Sequence, residues 1–355
     1  MARLFGFVWR GRGGNYAYVN ARVRARSASL LPPETYPKLV ARDLPEIARA
    51  LQEGRYQKEI DELAGKYRGA ELIDRATRLH LGRTYDEILS YSEGELRSML
   101  ALYMERYDVQ NLKTIIRGKF GGSSTQEILN ELLPLGTLPR RELERLASHE
   151  SLEDVLSAIA KTPYGPAVKE LADAHQRPAS LLELENALDK LHYRRVDDAV
   201  DYSTAPKAAF QAYLRREIDV VNLRTVFRLK AERMTDLANL HVEGGRDIDV
   251  PAAQRILRAD GDELAAEVAS LTWWKGRDEA VRAFLDGRGL NPVMTSLDRC
   301  FLSSAMSFGH AYPLSVLPVI GFLLRKKFEV DNLRIIAYGK QTGLREETIQ
   351  ELVLA

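Results

Sequence analysis

The 355-residue sequence lacks most of the residue patterns on which enzymes and metal proteins depend. It has a single cysteine, Cys300, so no intramolecular disulfide can form, and its six histidines never fall at a zinc-binding spacing. It contains neither a Gly-x-x-x-x-Gly-Lys-Ser/Thr phosphate loop nor a Gly-x-Ser-x-Gly nucleophile elbow. We therefore predict no catalytic residue, no cofactor-binding residue, no metal site and no direct small-molecule substrate.

An excess of charge and a long apolar run are also missing. The 51 basic and 50 acidic residues give a formal net charge of +1, whereas a nucleic-acid-binding surface needs surplus Lys and Arg, so no nucleic-acid partner is expected. The apolar stretch at residues 314–324 is about half the ~20 residues of a spanning helix, and the run at residues 4–9 is too short for a signal-peptide core. We expect no transmembrane segment, although binding to an embedded protein would still place the chain at a membrane.

What the sequence does contain is an internal repeat. Three segments, 108–119, 219–230 and 329–340, align without gaps around the pattern Asp/Glu-x-x-Asn-Leu, and a weaker copy occupies residues 16–26. A second repeated segment has the same period, and its three copies end at Tyr56, Tyr164 and Trp274. The common period of about 110 residues predicts three repeats, at 1–122, 123–233 and 234–355.

Each repeat is predicted to be helical. Pro and Gly fall between periodic segments, as at Gly121 and Gly244, and Ser151 with Asp154 three residues later is typical of a helix start. No sustained period-two alternation indicates strands. We predict an all-α fold whose three units surround a pseudo-threefold axis as a funnel, although the residues alone would also permit an open array.

The repeated motif has an apolar helix face with polar residues at fixed positions in it. At 100° per residue, the acid lies within the apolar face, where an unpaired charge costs several kcal/mol. We therefore expect it to pair with a basic or amide group of a neighbouring helix. We predict that the Asn, acid and Lys of each copy form a polar clasp that fixes helix register. These motif residues are Asp108, Asn111, Lys119, Asp219, Asn222, Lys230, Glu329, Asn332 and Lys340.

The opposite face of the motif helix is basic in every copy. Either it is a solvated face, or it presents a ring of positive charge to the acidic surface of a partner. The candidate partner interface comprises Arg22, Arg26, Lys113, Arg117, Arg224, Arg228 and Arg334.

These segments carry a family resemblance that covers essentially the whole chain. Residues 16–26 followed by 30–36, the triplicated Asp/Glu-x-x-Asn-Leu helix, and residues 132–137 resemble the C subunit of archaeal and bacterial A/V-type rotary ATPases, the homologue of the eukaryotic d subunit. One departure is Ala17, which stands where the other motif copies have an acid.

The resemblance implies an all-helical, non-catalytic funnel in the central stalk. It would lie between the shaft subunits, D and F, and the membrane proteolipid ring, as a peripheral component on the cytoplasmic face of the cell membrane. There it would transmit torque for ion transport coupled to ATP. Two alternatives stay open: a helical scaffold or adaptor of another assembly, and an enzyme with a site at the threefold axis.

Overall fold

The structure is a computed structural model that describes residues 13–133, 135–174, 180–237 and 240–354. The run at residues 4–9 and one of the six histidines, His175, lie outside the described residues. Within these ranges the chain forms α-helices joined by turns and short loops, without a β-strand, so the predicted all-α class is confirmed. The helices are α1 Tyr16–Ser27, α2 Thr35–Val40, α3 Leu44–Gln52, α4 Gln57–Leu63, α5 Gly69–Tyr91, α6 Gly94–Phe120, α7 Thr125–Glu131, α8 Arg140–Ala147, α9 Leu152–Ile159, α10 Gly165–Ala174, α11 Leu181–Ala199, α12 Ala205–Ala231, α13 Val250–Arg258, α14 Gly261–Ala269, α15 Asp278–Leu285, α16 Asn291–Ala311, α17 Leu317–Gln341 and α18 Glu346–Leu352.

The helices group into two compact units. Among the described residues, one unit contains residues 13–14 and 94–290, and the other contains residues 15–93 and 291–354. The division into three repeats is a statement about sequence similarity and stays a prediction.

In the unit formed by residues 15–93 and 291–354, α17 is the central helix and packs against α1, α2, α3, α5, α16 and α18. Its residues Leu333, Ile336 and Ala337 are fully buried and share one core with Ile47 and Ile73 of the N-terminal segment. Burial of this apolar area is the main favourable contribution to the fold. Cys300 of α16 is buried as well, as its apolar neighbours predict.

In the other unit, the motif helices α6 and α12 each span 27 residues. Leu112, Ile115 and Ile116 of α6 are fully buried in a core formed with α7 to α11, and Leu223 and Phe227 of α12 are equally buried. These are the positions that helical periodicity assigns to the apolar face, so the predicted face is confirmed in both helices.

Helix starts in both units are fixed by side chains that accept the free amides of the first turn. Ser151 accepts from the Asp154 amide at the start of α9, as predicted. Reciprocal capping boxes join Asp43 and Glu46, Ser124 and Glu127, and Ser180 and Glu183 at α3, α7 and α11.

Candidate functional site

Each motif asparagine binds the backbone of a segment that follows its helix. The side-chain amide donates to one carbonyl and its oxygen accepts the amide of the same residue, at 2.7–2.8 Å in all three copies. The bonded residues are Leu133 for Asn111, Val242 for Asn222 and Leu354 for Asn332. Because buried backbone groups need partners, this paired contact holds a non-helical segment against the motif helix.

The motif acid of α6, Asp108, is buried in a shell of hydrogen-bond donors. Its Oδ2 accepts from the Thr137 amide at 2.8 Å and from the Tyr164 hydroxyl at 2.9 Å, while its Oδ1 accepts from the Leu138 amide at 2.9 Å. Burial raises the pKa of Asp108 above its usual value, and these donors oppose that rise. A dense set of donors is therefore what lets the carboxylate sit inside the apolar face.

The acid of α12, Asp219, has fewer donors. Its Oδ1 accepts from the amides of Asp247 and Ile248, each at 3.0 Å, but its Oδ2 is buried without a hydrogen-bond partner among the described residues. Burial raises the pKa of Asp219 to about 6. In this repeat Trp274 stands at the position that aligns with Tyr164. Its indole N–H is buried and, like Asp219 Oδ2, has no hydrogen-bond partner among the described residues.

The acid of α17, Glu329, accepts from the hydroxyl of Tyr56 at 2.5 Å, from the Leu31 amide at 2.6 Å and from the Lys326 ammonium at 2.6 Å. Tyr56 and Tyr164, which align in the sequence, thus play the same part in two copies. The sequence predicted that each acid binds a basic or amide group of a neighbouring helix. The structure shows that most of these amides come from loops.

The motif lysines do not contact their own acids. Lys230 donates to the Leu257 carbonyl at 3.0 Å and lies 3.1 Å from Asp260, while Lys340 pairs with Glu346 at 2.7 Å and Lys119 reaches the Thr125 hydroxyl at 3.5 Å. Each lysine therefore binds groups that follow the motif helix. The Asn, acid and Lys of each copy thus make separate contacts, and the clasp that fixes helix register stays a prediction.

Two glycines contribute to these contacts and were not recognised from the sequence. A Cβ at Gly136 would lie 2.0 Å from Asp108 Oδ1, and one at Gly245 would lie 2.6 Å from Asp219 Oδ1. Such distances are far below van der Waals contact, so only glycine lets the loop approach the carboxylate. The signal was present in the repeated placement of a glycine after each of the first two motif helices.

The pKa of Asp219 gives a testable pH dependence. Because its folded-state pKa is raised, the native state binds the proton more tightly than the unfolded chain does. Asp219 therefore contributes its least to stability above pH 6, and its contribution grows as pH falls towards 4. Urea unfolding of wild type and Asp219→Asn between pH 4 and pH 8 is expected to show a difference in the free energy of unfolding that changes by about 3 kcal/mol or less across this range. A constant difference would refute the shifted pKa.

Most of the candidate interface residues are paired with carboxylates of neighbouring helices. Arg22 and Arg26 contact Glu87 of α5, and the Arg22 guanidinium lies over the Tyr91 ring at 4.4 Å. Arg334 of α17 lies 3.7 Å from Asp74, also on α5. Each of these three arginines therefore has a carboxylate of α5 as a neighbour, unlike the side chains of a fully solvated face.

The remaining four candidate residues lie on α6 and α12. Lys113 contacts Asp189 of α11, and Arg117 binds Glu185 of the same helix through two nitrogens. The other two, Arg224 and Arg228, are half-buried on α12. Burial lowers the pKa of Arg228 and the nearby charges of Arg224 and Arg117 lower it further, so four cations gather around two carboxylates.

Two histidines that each follow a leucine in the sequence, His80 and His192, contact tyrosine rings. His80 Nδ1 lies 3.1 Å from Glu59 Oε2, and its ring centroid lies 4.7 Å from that of Tyr56 with the two planes tilted by 54°. His192 is buried beside Tyr193, and burial with the nearby charge of Arg106 lowers its pKa to about 3, so it is neutral at physiological pH. Across the described ranges no group of His, Cys, Asp and Glu side chains is arranged to hold a metal ion. No helix there is long and apolar enough to cross a bilayer.

These features define an all-helical protein in which a recurring motif binds loops and neighbouring helices. The chain belongs to the family of ATP synthase (C/AC39) subunits, whose model matches residues 19–352. It is 36% identical to the C subunit of the A-type ATP synthase of Methanococcoides burtonii over 96% of this chain and 94% of that protein. The corresponding proteins of Methanosarcina acetivorans (34% identity, 95% of this chain and 92% of that protein) and Haloquadratum walsbyi (33%, 96% and 98%) are similar over comparable lengths.

Proposed function

We propose that this protein is the non-catalytic coupling component of a rotary ATP synthase. It joins the shaft subunits, D and F, to the membrane proteolipid ring at the cytoplasmic face and transmits torque between them. The observation that carries the proposal is the similarity to the C subunits of A-type ATP synthases over almost the full length of both chains.

The internal contacts support a mechanical task. A protein transmits torque efficiently only if its segments do not move relative to one another. Each asparagine contact opposes such movement, because it holds a loop on a helix through two hydrogen bonds. Helix α17 packs against six other helices of its unit and buries residues along most of its length, and close packing of this kind resists deformation. The sequence also offers no phosphate loop. A purified chain that hydrolyses ATP, or binds it at micromolar affinity, would contradict the non-catalytic part of the proposal.

Co-purification from native membranes tests the proposal directly. A chain tagged at a solvent-exposed loop is expected to bring down both shaft subunits and the proteolipid when mild detergent is used. Deleting the genes for the shaft subunits should not abolish binding of this protein to the proteolipid ring. Recovery of helical partners without any proteolipid would favour the alternative of an adaptor in another assembly.

We also propose that the basic faces take part in docking, and that the cations of α6 and those of α12 have different roles. Lys113 and Arg117 neutralise carboxylates of α11, and Glu185 is buried, so removing the cations would leave a charge unpaired inside the unit. Their replacement is therefore expected to lower stability before it changes binding. Arg224 and Arg228 are the better candidates for contact with a partner.

A further inference from the structure

The far-face cations differ in how their charges are balanced. In α1, α6 and α17, carboxylates on an adjacent helix contact these side chains directly. Arg228 of α12, in contrast, makes no hydrogen bond or ion pair with any residue in the described ranges. It is half-buried and lies one helical turn beyond Arg224, in a group that has more cations than carboxylates.

This arrangement is unfavourable for the isolated fold. A half-buried guanidinium loses hydration, and like charges nearby raise its free energy further. The two carboxylates of the group, Glu185 and Asp189, are already engaged by Arg117 and Lys113. Both carboxylates attract Arg228 without forming an ion pair with it, and this attraction is smaller than the repulsion from Arg224 and Arg117. A carboxylate arriving from outside would offset the remaining repulsion and gain a strong charge-assisted hydrogen bond.

We infer that Arg228, with Arg224 beside it, is the receptor for an acidic segment of a partner protein in the assembled complex. The inference rests on the proposed function, since it assumes that the chain works within an assembly. A membrane surface is the less suitable anion, because recognition of anionic lipid uses clusters of about four to eight free Lys and Arg. The chain has no such surplus, and Lys113 and Arg117 are already bound.

The experiment combines two measurements on Arg228→Gln. In the isolated protein, the melting temperature is expected to stay the same or to rise, because a repelled cation has been removed. The association rate with complex stripped of this protein is expected to fall about 3–10-fold at low salt. The loss should shrink as salt is raised, since screening weakens the attraction that the variant lacks.

Three controls sharpen the result. Arg140→Gln removes one positive charge from a highly exposed side chain of the same unit, where Arg140 pairs with Glu144 at 2.8 Å, and it should leave both measurements unchanged. Arg228→Lys keeps the charge and should recover most of the association rate. Arg228→Glu should slow association more than Arg228→Gln does.

The outcomes separate this inference from the proposed function. If the wild-type protein fails to rejoin the stripped complex, both are overturned. If wild type rejoins and Arg228→Gln matches it in rate, or melts at a clearly lower temperature, only the receptor is overturned. An effect of Arg228→Gln on binding to vesicles of anionic lipid, with normal association with the complex, would assign the site to the membrane and overturn the protein partner.

Discussion

Gly136→Ala is expected to lower the free energy of unfolding by about 2–4 kcal/mol, the range for overpacking that a site cannot relieve. The new methyl group would lie 2.0 Å from Asp108 Oδ1 and 2.8 Å from the Asp108 backbone nitrogen. A backbone atom in the middle of α6 has no room to move, so the loop must shift and its bonds to the carboxylate must lengthen. Urea unfolding followed by circular dichroism measures the change.

Gly65→Ala serves as its control. No heavy atom lies within 4 Å of a Cβ at Gly65, so the same chemical change should alter stability by about 0.5 kcal/mol or less. Similar losses for the two variants would show that the close approach of the loop to Asp108 carries no strain on substitution.

Asp108→Asn and Asp219→Asn are expected to differ in sign or size although the substitution is the same. At Asp108 both oxygens face donors, so an asparagine NH₂ group must oppose at least one N–H in either orientation. Donors left buried and unpaired cost about 1–3 kcal/mol each. At Asp219 the two loop amides bind Oδ1 alone, so an asparagine oxygen can keep them while its NH₂ group occupies the place of the unpartnered Oδ2.

The free energy of unfolding at pH 7.5 decides this comparison. We expect a clear loss for Asp108→Asn and little change or a gain for Asp219→Asn. Equal losses would mean that the two carboxylates have equivalent surroundings, contrary to the contacts described.

Local periodicity explains why the buried faces were predictable from the sequence. Leu112, Ile115 and Ile116 recur at the helical period, and the side chains of an α-helix at that period share one face whatever packs against it. The acid of the motif was also recognisable as a buried charge in need of a partner. Its partners were not, because Thr137 and Leu138 lie on a loop whose position depends on the whole unit.

The candidate interface shows the same limit. Periodicity places Lys113 and Arg117 on the face opposite the core, but the acids that bind them belong to α11, about 70 residues further along the chain. Nothing in the local pattern indicates that one helix would neutralise another. Trp274 is a further case, since its alignment with Tyr164 was visible, but the loss of a hydroxyl donor to Asp219 has meaning only once the contacts of the motif acids are known.

The asparagine contacts also determine which segments can unfold locally. The amides of Leu133, Val242 and Leu354 lie outside helices, where exchange with solvent deuterium is ordinarily fast. Each is bound to an oxygen on a long helix, so it exchanges only when its segment detaches from that helix. Leu354 follows α18, a helix of only seven residues, so few backbone hydrogen bonds of its own segment protect it. Its exchange rate reports the free energy of detaching this segment from α17, so the side chain of Asn332 contributes directly to the stability of the segment after α18.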